Sequence, residues 1–243
     1  MPFAPTIRVY RTYLIQLINA IDGAFRYNDL KIDLKIGAFR IRSTHPTINH
    51  FSPMIANVQY PQKMTIEEYL DWEPLQDLRY EYVNGEVFAM TGGTIPHNDL
   101  ALNLYRNLYP HLRSRGCRAN VSDVKTKLSD RGPYYYPDVI VSCHPQDLNA
   151  RNFIQYPTLI AEVLSPGTSA KDRGEKFADY LQIPTLQEYL LIDSEKIFIE
   201  RYCRGEGRMW LYYPYIAGDI VTLSSLGFQC PIELLYENVG LKE

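Results

Sequence analysis

The sequence lacks the features that identify a membrane protein, a zinc protein or a serine hydrolase. No run of about 18 apolar residues occurs, so no membrane-spanning helix is expected. A Gly-x-Ser-x-Gly elbow is also missing. The cysteines show no CxxC spacing, which favours neither a zinc site nor a disulfide framework and fits a reducing cytoplasm. The four are Cys117, Cys143, Cys203 and Cys230.

Positive charge is scarce as well. The chain has 25 Lys and Arg against 28 Asp and Glu, a formal net charge of −3. Proteins that bind nucleic acid are usually basic, so this balance argues against tight, non-specific DNA binding. A nuclease can still concentrate positive charge locally, because a bound metal supplies part of the field. The composition is otherwise typical of a globular protein that buries a sizeable core.

The first 53 residues differ from the rest because they contain no Glu. Their seven Lys and Arg minus three Asp give +4, which leaves 18 − 25 = −7 for residues 54–243. Serine is too scarce for an organelle transit peptide. We predict that residues 1–53 are an N-terminal extension outside the native domain, that residues 54–243 form this domain, and that Met54 is an alternative start.

Two short apolar runs each carry one acid. Asp138 lies in YYYPDVIVS and Glu162 in LIAEVLS. Runs this apolar, bounded by Pro and Gly, predict strands that are covered on both faces. A buried carboxylate is costly unless a cation or a hydrogen-bonding partner compensates it. If the strands pair near the two acids, both carboxylates can reach one divalent cation. Alternatively, each acid caps a turn or pairs with a Lys or Arg.

A longer motif around these acids resembles a known family. PD is followed after 24 residues by EVLSPGTSAKDRGEKFADYLQIPTLQEYLLID, and this whole pattern is similar to the Uma-two family. That family is described as putative restriction endonucleases of the PD-(D/E)XK nuclease superfamily. The resemblance spans roughly residues 60–236. It implies an α/β (α+β) fold with a restriction-endonuclease-like core, in which helices flank a mixed β-sheet.

The resemblance also implies a chemistry. It implies Mg²⁺-dependent hydrolysis of phosphodiester bonds, with Mn²⁺ as a substitute, and it implies Asp138 and Glu162 as the metal-binding acids. The superfamily lysine, two residues after the second acid, would stabilise developing charge, but Leu164 stands there. Lys176 in DRGEK is the best replacement. Helical periodicity predicts that it shares a face with Arg173 and Tyr180.

Other basic residues are rival or additional candidates. Lys125 and Lys127, in the predicted strand segment CRANVSDVKTKL, compete for the role of the missing lysine. Together with Arg173 and His97 they are candidate substrate-binding residues. His97 matches a family histidine at the start of a helix predicted over residues 97–115, where it contacts a phosphate or forms a structural hydrogen bond. Without a second His nearby, it is a poor candidate metal ligand.

A β-hairpin is predicted in RYEYVNGEVFAMTGG, because Asn84-Gly85 favours a type I′ turn. Its first strand carries Glu81, which matches the glutamate of the family pattern YE-x-x-x-G-E and can serve as an additional catalytic acid. The alternative is a cross-strand partner for a Lys or Arg. Upstream, Thr65 and Glu68 have the spacing of a capping box.

The C-terminal third predicts a hairpin-rich sheet extension. Alternating runs between residues 188 and 228 indicate three or four strands, and PIELLYENV indicates a short terminal helix. An aromatic patch in this part is either core or a dimer surface. Its members are Trp210, Tyr212, Tyr213 and Tyr215.

The sequence thus predicts a cytoplasmic, Mg²⁺-dependent endonuclease whose substrate is nucleic acid, in the first place DNA. In this hypothesis Asp138 and Glu162 hold the metal, Glu81 assists, and Lys176 stabilises charge on the phosphoryl oxygens. Double-strand cleavage often needs two active sites, so a homodimer is a reasonable expectation. The competing hypothesis is a catalytically inactive nuclease-fold protein that acts as an interaction or nucleic-acid-binding module. Leu164 and the acidic charge balance support it.

Overall fold

The computed structural model describes residues 63–90, 92–165 and 169–241, together with the backbone of residues 30–33 and 40–43. The chain divides into two compact units, Met1–Val58 and Gln59–Glu243. In the first unit, β1 (Leu30–Asp33) pairs antiparallel with β2 (Arg40–Ser43). The second unit contains all candidate site residues. The domain boundary after residue 53 stays a prediction.

The second unit alternates strands and helices. Its helices are α1 (Ile66–Trp72), α2 (Ile95–Ser114), α3 (Pro145–Leu148), α4 (Ser169–Arg173), α5 (Glu175–Tyr180) and α6 (Ile232–Leu235), with a 3-10 turn at Glu73–Leu75. Its strands are β3 (Tyr80–Val83), β4 (Glu86–Ala89), β5 (Arg118–Val121), β6 (Lys125–Lys127), β7 (Tyr134–Tyr135), β8 (Val139–Ser142), β9 (Phe153–Ile154), β10 (Leu159–Leu164), β11 (Glu188–Asp193), β12 (Phe198–Arg204), β13 (Trp210–Ile216), β14 (Ile220–Leu223) and β15 (Phe228–Pro231).

A six-stranded sheet in the order β13-β12-β11-β10-β8-β5 forms the centre of this unit. β10 and β11 are parallel, whereas the other neighbouring pairs are antiparallel. Leucines of α2 pack on one face, and residues of α5 and its C-terminal turn pack on the other. The predicted fold class, a mixed sheet flanked by helices, is confirmed.

The register of β8 and β10 brings the two acids together. Val139 lies opposite Ala161 in this antiparallel pair. Asp138, the residue before Val139, therefore lies opposite Glu162, the residue after Ala161. Every residue of β10 is buried, as its apolar sequence predicts. Ile160 and Leu164, which strand alternation places on one face of β10, both lie in the core on that side of the sheet.

A second sheet of five strands, in the order β4-β3-β7-β6-β9, carries the predicted hairpin. Asn84 and Gly85 both have positive φ, 52° and 91°, as a type I′ turn requires. The capping box at the start of α1 is present, with Thr65 and Glu68 bonded reciprocally. A tyrosine cluster joins α1 to this sheet; the ring centroids of Tyr69 and Tyr82 are 5.0 Å apart.

Two of the sequence predictions for local structure need correction. CRANVSDVKTKL forms two strands in different sheets, because Ser122 and Asp123 adopt positive φ and turn the chain between β5 and β6. The helix that carries Lys176 is interrupted at Gly174, where the backbone leaves helical geometry.

The expectation that the cysteines form no disulfide is wrong for one pair. Cys117 and Cys143 are bonded, with Cα atoms 4.2 Å apart. Arg118 lies opposite Ser142 in the β5–β8 pair, so the two cysteines are the next cross-strand neighbours beyond this pair. The spacing of the cysteines in the sequence does not predict this disulfide, because the pairing of β5 with β8 brings the two residues together. Cys203 and Cys230 remain free.

The C-terminal strands confirm the predicted hairpin-rich extension. β12 pairs with β13 and β14 with β15, both antiparallel, and α6 follows as the short terminal helix. β13 is an edge strand, and Tyr212 and Tyr213 on it are exposed while Trp210 packs against the core. The aromatic patch is therefore divided between core and surface, and a dimer surface stays a prediction. None of the described helices has the length and apolarity that crossing a membrane requires.

Candidate functional site

Asp138 and Glu162 lie side by side at the end of the paired strands β8 and β10. The Oδ2 atom of Asp138 accepts a hydrogen bond from the Val163 backbone N–H at 2.7 Å. The backbone N–H of Asp138 donates to Oε2 of Glu162 at 3.3 Å. Glu162 is buried and Asp138 is partly exposed, so the pair joins the protein interior to a solvent-accessible edge.

Lys176 enters this acidic pair from α5. Its side chain is only 8% exposed, and its Nζ lies 2.8 Å from Oε1 of Glu81, 3.3 Å from Oε1 of Glu162 and 3.6 Å from Oδ1 of Asp172. Leu164, two residues after Glu162, packs into the core. The structure therefore supplies an ammonium group at the second acid from a different element, as the sequence predicted.

Glu81 reaches the same cluster from the hairpin strand β3. Its Oε1 accepts from Lys176, and its Oε2 accepts from Lys171 Nζ on α4 at 2.6 Å. The geometry shows the ion-pair alternative for Glu81, although its lysine partners come from helices and not from a neighbouring strand. A role of Glu81 as an additional catalytic acid stays a prediction.

Tyr180 completes the surroundings of Glu162. Its hydroxyl donates to Oε1 of Glu162 at 2.9 Å, and the ring is buried at the end of α5. Burial raises the pKa of the Tyr180 hydroxyl well above its usual value, and the charges of Glu162 and Glu81 add to this. The hydroxyl therefore stays protonated and acts as a hydrogen-bond donor to the carboxylate.

His97 holds the other acid. Its Nε2 lies 3.0 Å from Oδ1 of Asp138, and it stands in the first turn of α2, where Thr94 is the N-cap. Burial lowers the pKa of His97, but the hydrogen bond and charge of Asp138 outweigh it and leave the pKa above its usual value. The buried Nδ1 has no hydrogen-bond partner among the described residues. The hydrogen-bonding alternative for His97 is the one that the geometry shows.

The cluster has more negative than positive charge. The acids are Glu81, Asp138, Glu162 and Asp172, and the ammonium groups are those of Lys171 and Lys176. Counted formally and without His97, two ammonium groups and four carboxylates leave 2 − 4 = −2, and His97, whose pKa is raised, adds positive charge when it is protonated.

The pKa values of Glu162 and Lys176 depend on burial and on the charges of their neighbours. Burial raises the pKa of Glu162 well above its usual value; Lys176 lowers it and the other acids raise it further. Burial lowers the pKa of Lys176, but the charges of Glu162, Glu81 and Asp172 outweigh this and leave it raised. For Glu162 the main cause is burial, and the neighbouring carboxylates add to it; for Lys176 these carboxylates outweigh burial, so its ammonium group stays charged.

The donor set suits a hard divalent cation. No group of three or more His, Cys, Asp or Glu side chains within the described residues has the arrangement of a complete metal site. Mg²⁺, however, is commonly held by one or two carboxylates together with water and substrate phosphates. The adjacent carboxylates of Asp138 and Glu162, in a cluster with more acids than ammonium groups, fit that mode of binding.

Three basic candidates lie in other ion pairs. Lys125 is buried against Glu73, with Nζ 2.7 Å from Oε2, and Lys127 pairs with the exposed Asp130 at 2.7 Å. Arg173 pairs with Glu200 on β12, because the break at Gly174 turns it away from the face that carries Lys176. The structure therefore brings Asp138, Glu162, Lys176, Glu81 and His97 together, but not these three residues.

Sequence reasoning missed Asp172 as a member of the cluster and the contact of Lys171 with Glu81. A signal for Asp172 was present, because Asp172, Lys176 and Tyr180 are spaced by four residues and such residues share a helix face. No local signal connected Lys171 to Glu81, since these residues are 90 positions apart.

Comparison with known proteins places the chain among nuclease-like proteins. The sequence model of Uma2, described as "Putative restriction endonuclease", matches residues 66–233. Two uncharacterized proteins of Synechocystis sp. (strain ATCC 27184 / PCC 6803 / Kazusa) are similar. One, slr1290, is 38% identical over 178 residues, which are 73% of this chain and 94% of that protein. The other, sll1609, is 36% identical over 150 residues, 61% of this chain and 85% of that protein.

A solved structure shares the fold. It is a putative nuclease belonging to DUF820 from Anabaena variabilis ATCC 29413, and its TM-score to this chain is 0.56 at 18% sequence identity. The alignment covers 71% of this chain and 97% of that one.

Proposed function

This chain belongs to the Uma2 family, described as putative restriction endonucleases, and from that premise we propose that it is a Mg²⁺-dependent endonuclease. The family supports a nuclease-like function. The finer parts of the proposal are hydrolysis of phosphodiester bonds, DNA as the substrate, Mn²⁺ as a substitute cation, and action in the cytoplasm as a homodimer.

The observation that carries the proposal is the convergence of Asp138, Glu162 and Lys176. Two adjacent carboxylates and one ammonium group meet although 38 positions separate the first from the last. They come from the residue before β8, from β10 and from α5. A buried charged group is costly unless its partners compensate it. A cluster that keeps a surplus of carboxylates in the interior is therefore suited to binding a cation.

Each residue has a role in this proposal. Asp138 and Glu162 provide oxygen ligands, and Tyr180 and the Val163 N–H hold these carboxylates in position. Lys176 stabilises charge that develops on the phosphoryl oxygens, because its ammonium group stays protonated in the cluster. Glu81 holds Lys176 and is a further acid near the reacting atoms. A bound Mg²⁺ would supply Lewis acidity at a phosphoryl oxygen and a water of lowered pKa.

One observation favours the competing function, a catalytically inactive module on the same fold. The carboxylates of Glu81 and Glu162 already have lysine and tyrosine partners, so they are satisfied as structural groups. If those ion pairs persist in solution, the acids serve only to hold α4 and α5 against the sheets.

The deciding experiment combines metal titration with plasmid nicking. Mg²⁺ and Mn²⁺ are titrated calorimetrically into wild type, Asp138→Asn and Glu162→Gln, and the same samples are incubated with supercoiled plasmid. We expect both variants to lose metal binding and to nick at least about 10²-fold more slowly, because each lacks a ligand that acts in the transition state. Asp130→Asn is the matched control, since Asp130 is an exposed acid that pairs only with a surface lysine.

The two hypotheses differ clearly in this experiment. Full nicking activity in Asp138→Asn would refute the proposed site. Metal binding that is absent from wild type, both alone and with a plasmid present, would favour the inactive module.

A further inference from the structure

Lys171 is the ammonium group of the acidic cluster that solvent reaches most easily. Its side chain is 33% exposed, whereas that of Lys176 is 8% exposed. One partner of Lys171 is the buried Glu81, so it connects the interior of the cluster to its surface. An ammonium group in this position can contact an anion that approaches from solvent without leaving the acid.

An exposed aromatic ring lies beside this ammonium group. Phe88 on β4 is directly opposite Glu81 in the β3–β4 pair, so both side chains stand on one face of the hairpin. Lys171 Nζ lies 4.8 Å from the centroid of the Phe88 ring. Phe88 remains 41% exposed although it is large and apolar. A ring, an ammonium group and a buried acid thus follow one another from the surface inwards.

The aromatic ring and the ammonium group together can bind one nucleotide, which has a flat base next to a charged phosphate. Aromatic rings stack on unpaired bases of any identity, and lysine binds the phosphate next to the base. β4 is an edge strand of its sheet, and within the described residues no strand pairs with its outer side. In a paired duplex each base is already stacked on its neighbours, and only an unpaired or displaced base can offer a face to the ring.

We propose that Phe88 and Lys171 bind one nucleotide of an unpaired nucleic-acid strand, with the base stacked on the ring and the phosphate on the ammonium group. This rests on the proposed function, because the strand held there leads to the acids. The proposal names the preferred substrate class: single-stranded nucleic acid, or a duplex with a frayed or unpaired segment. Phe88 is then a substrate-contacting residue of the site.

A similar trio elsewhere in the same sheet provides the matched control. Lys127 Nζ lies 5.6 Å from the Phe153 ring and pairs with Asp130. Phe153, however, packs against the tyrosine cluster, and Asp130 is 90% exposed and outside the acidic cluster. Lys127→Met therefore removes a lysine of the same local type without touching the acids. Tyr109→Ala removes an exposed ring three turns along α2 from His97.

The test measures binding by fluorescence anisotropy in EDTA, so that no cleavage occurs. The probes are labelled single-stranded DNA and RNA oligonucleotides and the corresponding blunt duplexes, each over a series of KCl concentrations. The variants are Phe88→Ala, Phe88→Trp, Lys171→Met and Lys171→Arg, with the two controls. All are made in the full chain.

We expect single strands to bind more tightly than duplexes. Phe88→Ala should weaken single-strand binding by about tenfold, while Phe88→Trp keeps it. Lys171→Met should reduce the slope of log K against log[salt] by about 0.7, the value for one phosphate contact on a single strand, while Lys171→Arg restores it. Lys127→Met and Tyr109→Ala should bind like wild type.

Several results would overturn this inference. Phe88→Ala and Lys171→Met that bind like wild type would do so, as would a preference for intact duplex or a wild type that binds none of the probes. Failure of the proposed function is a separate result, because it appears as wild type without metal-dependent nicking even if single-strand binding depends on Phe88 and Lys171.

Discussion

The ammonium group of Lys176 contacts three carboxylates, all of them buried in the second unit. Two of these acids, Glu81 and Glu162, lie on strands of different sheets, and the third, Asp172 on α4, precedes Lys176 by four residues. One side chain therefore joins both sheets and a helix. At the scale of single residues, this contact is the main interaction that combines stability with the proposed chemistry.

Replacement of Lys176 by Met should cost both stability and activity. Removal of one partner of a buried ion pair destabilises a protein by about 3–5 kcal/mol, because the remaining charge is uncompensated. Urea denaturation in EDTA measures this loss. Plasmid nicking should fall by at least about 10²-fold, because the charge on the phosphoryl oxygens loses its stabilising cation. Lys127→Met breaks a surface pair and should cost at most about 1 kcal/mol.

The stability loss of Lys176→Met should depend on pH. Without the ammonium group, the pKa of Glu162, already raised by burial, rises further in the folded state. A carboxyl group whose folded pKa exceeds its unfolded value destabilises the fold above the unfolded pKa, because it must lose its proton in the interior. The deficit should therefore be smaller at about pH 5 than at about pH 8. An equal deficit at both values would mean that Glu162 does not carry the uncompensated charge.

At the scale of elements, the break between α4 and α5 decides where the basic side chains point. Gly174 separates a helix that carries Lys171 and Asp172 from one that carries Lys176. A Cβ atom on Gly174 would lie 2.9 Å from the Ala170 backbone oxygen, which is closer than such atoms approach each other. Glycine is therefore required for the two helices to present both lysines to the acids.

Gly174→Ala tests the role of this break. The added methyl group should destabilise the protein by about 1–3 kcal/mol, as overpacking of a well-packed site does, and should reduce nicking because α4 and α5 must shift. Thermal unfolding and plasmid nicking measure the two effects. Gly240→Ala is the control, since a Cβ atom there meets no atom within 4 Å. Wild-type stability and nicking in Gly174→Ala would show that the turn accepts a side chain.

At the scale of the whole molecule, the chain is divided into two compact units. The compact units separate after Val58, and the Uma2 match begins at residue 66. The second unit contains every residue of the acidic cluster. Among the described residues, three buried clusters of apolar side chains lie on the sheets and helices of the second unit.

A fragment of residues 54–243 should therefore fold and act independently. We expect its unfolding temperature, its metal binding and its nicking activity to equal those of the full chain. Differential scanning calorimetry and the nicking assay measure these properties on both proteins side by side. A fragment that unfolds without a cooperative transition would show that residues 1–53 are part of the functional domain.

Much of the local structure could be predicted because it depends on residues close together in the chain. The hairpin at Asn84-Gly85, the capping box at Thr65 and the buried strand around Glu162 all follow from turn chemistry and apolar patterning. The pairing of Asp138 with Glu162 also followed, since both acids lie in apolar runs that were expected to be adjacent strands.

The sequence by itself thus determined the family and the mixed sheet with flanking helices, and it singled out Asp138, Glu162 and Lys176, whose catalytic roles stay a prediction. Only the tertiary structure decided which groups meet there. The contacts of Lys171 with Glu81 and Phe88, of His97 with Asp138, and of Cys117 with Cys143 join segments 26 to 90 positions apart. The physical reason is that periodicity shows which face of an element is buried, whereas packing between elements decides what that face touches.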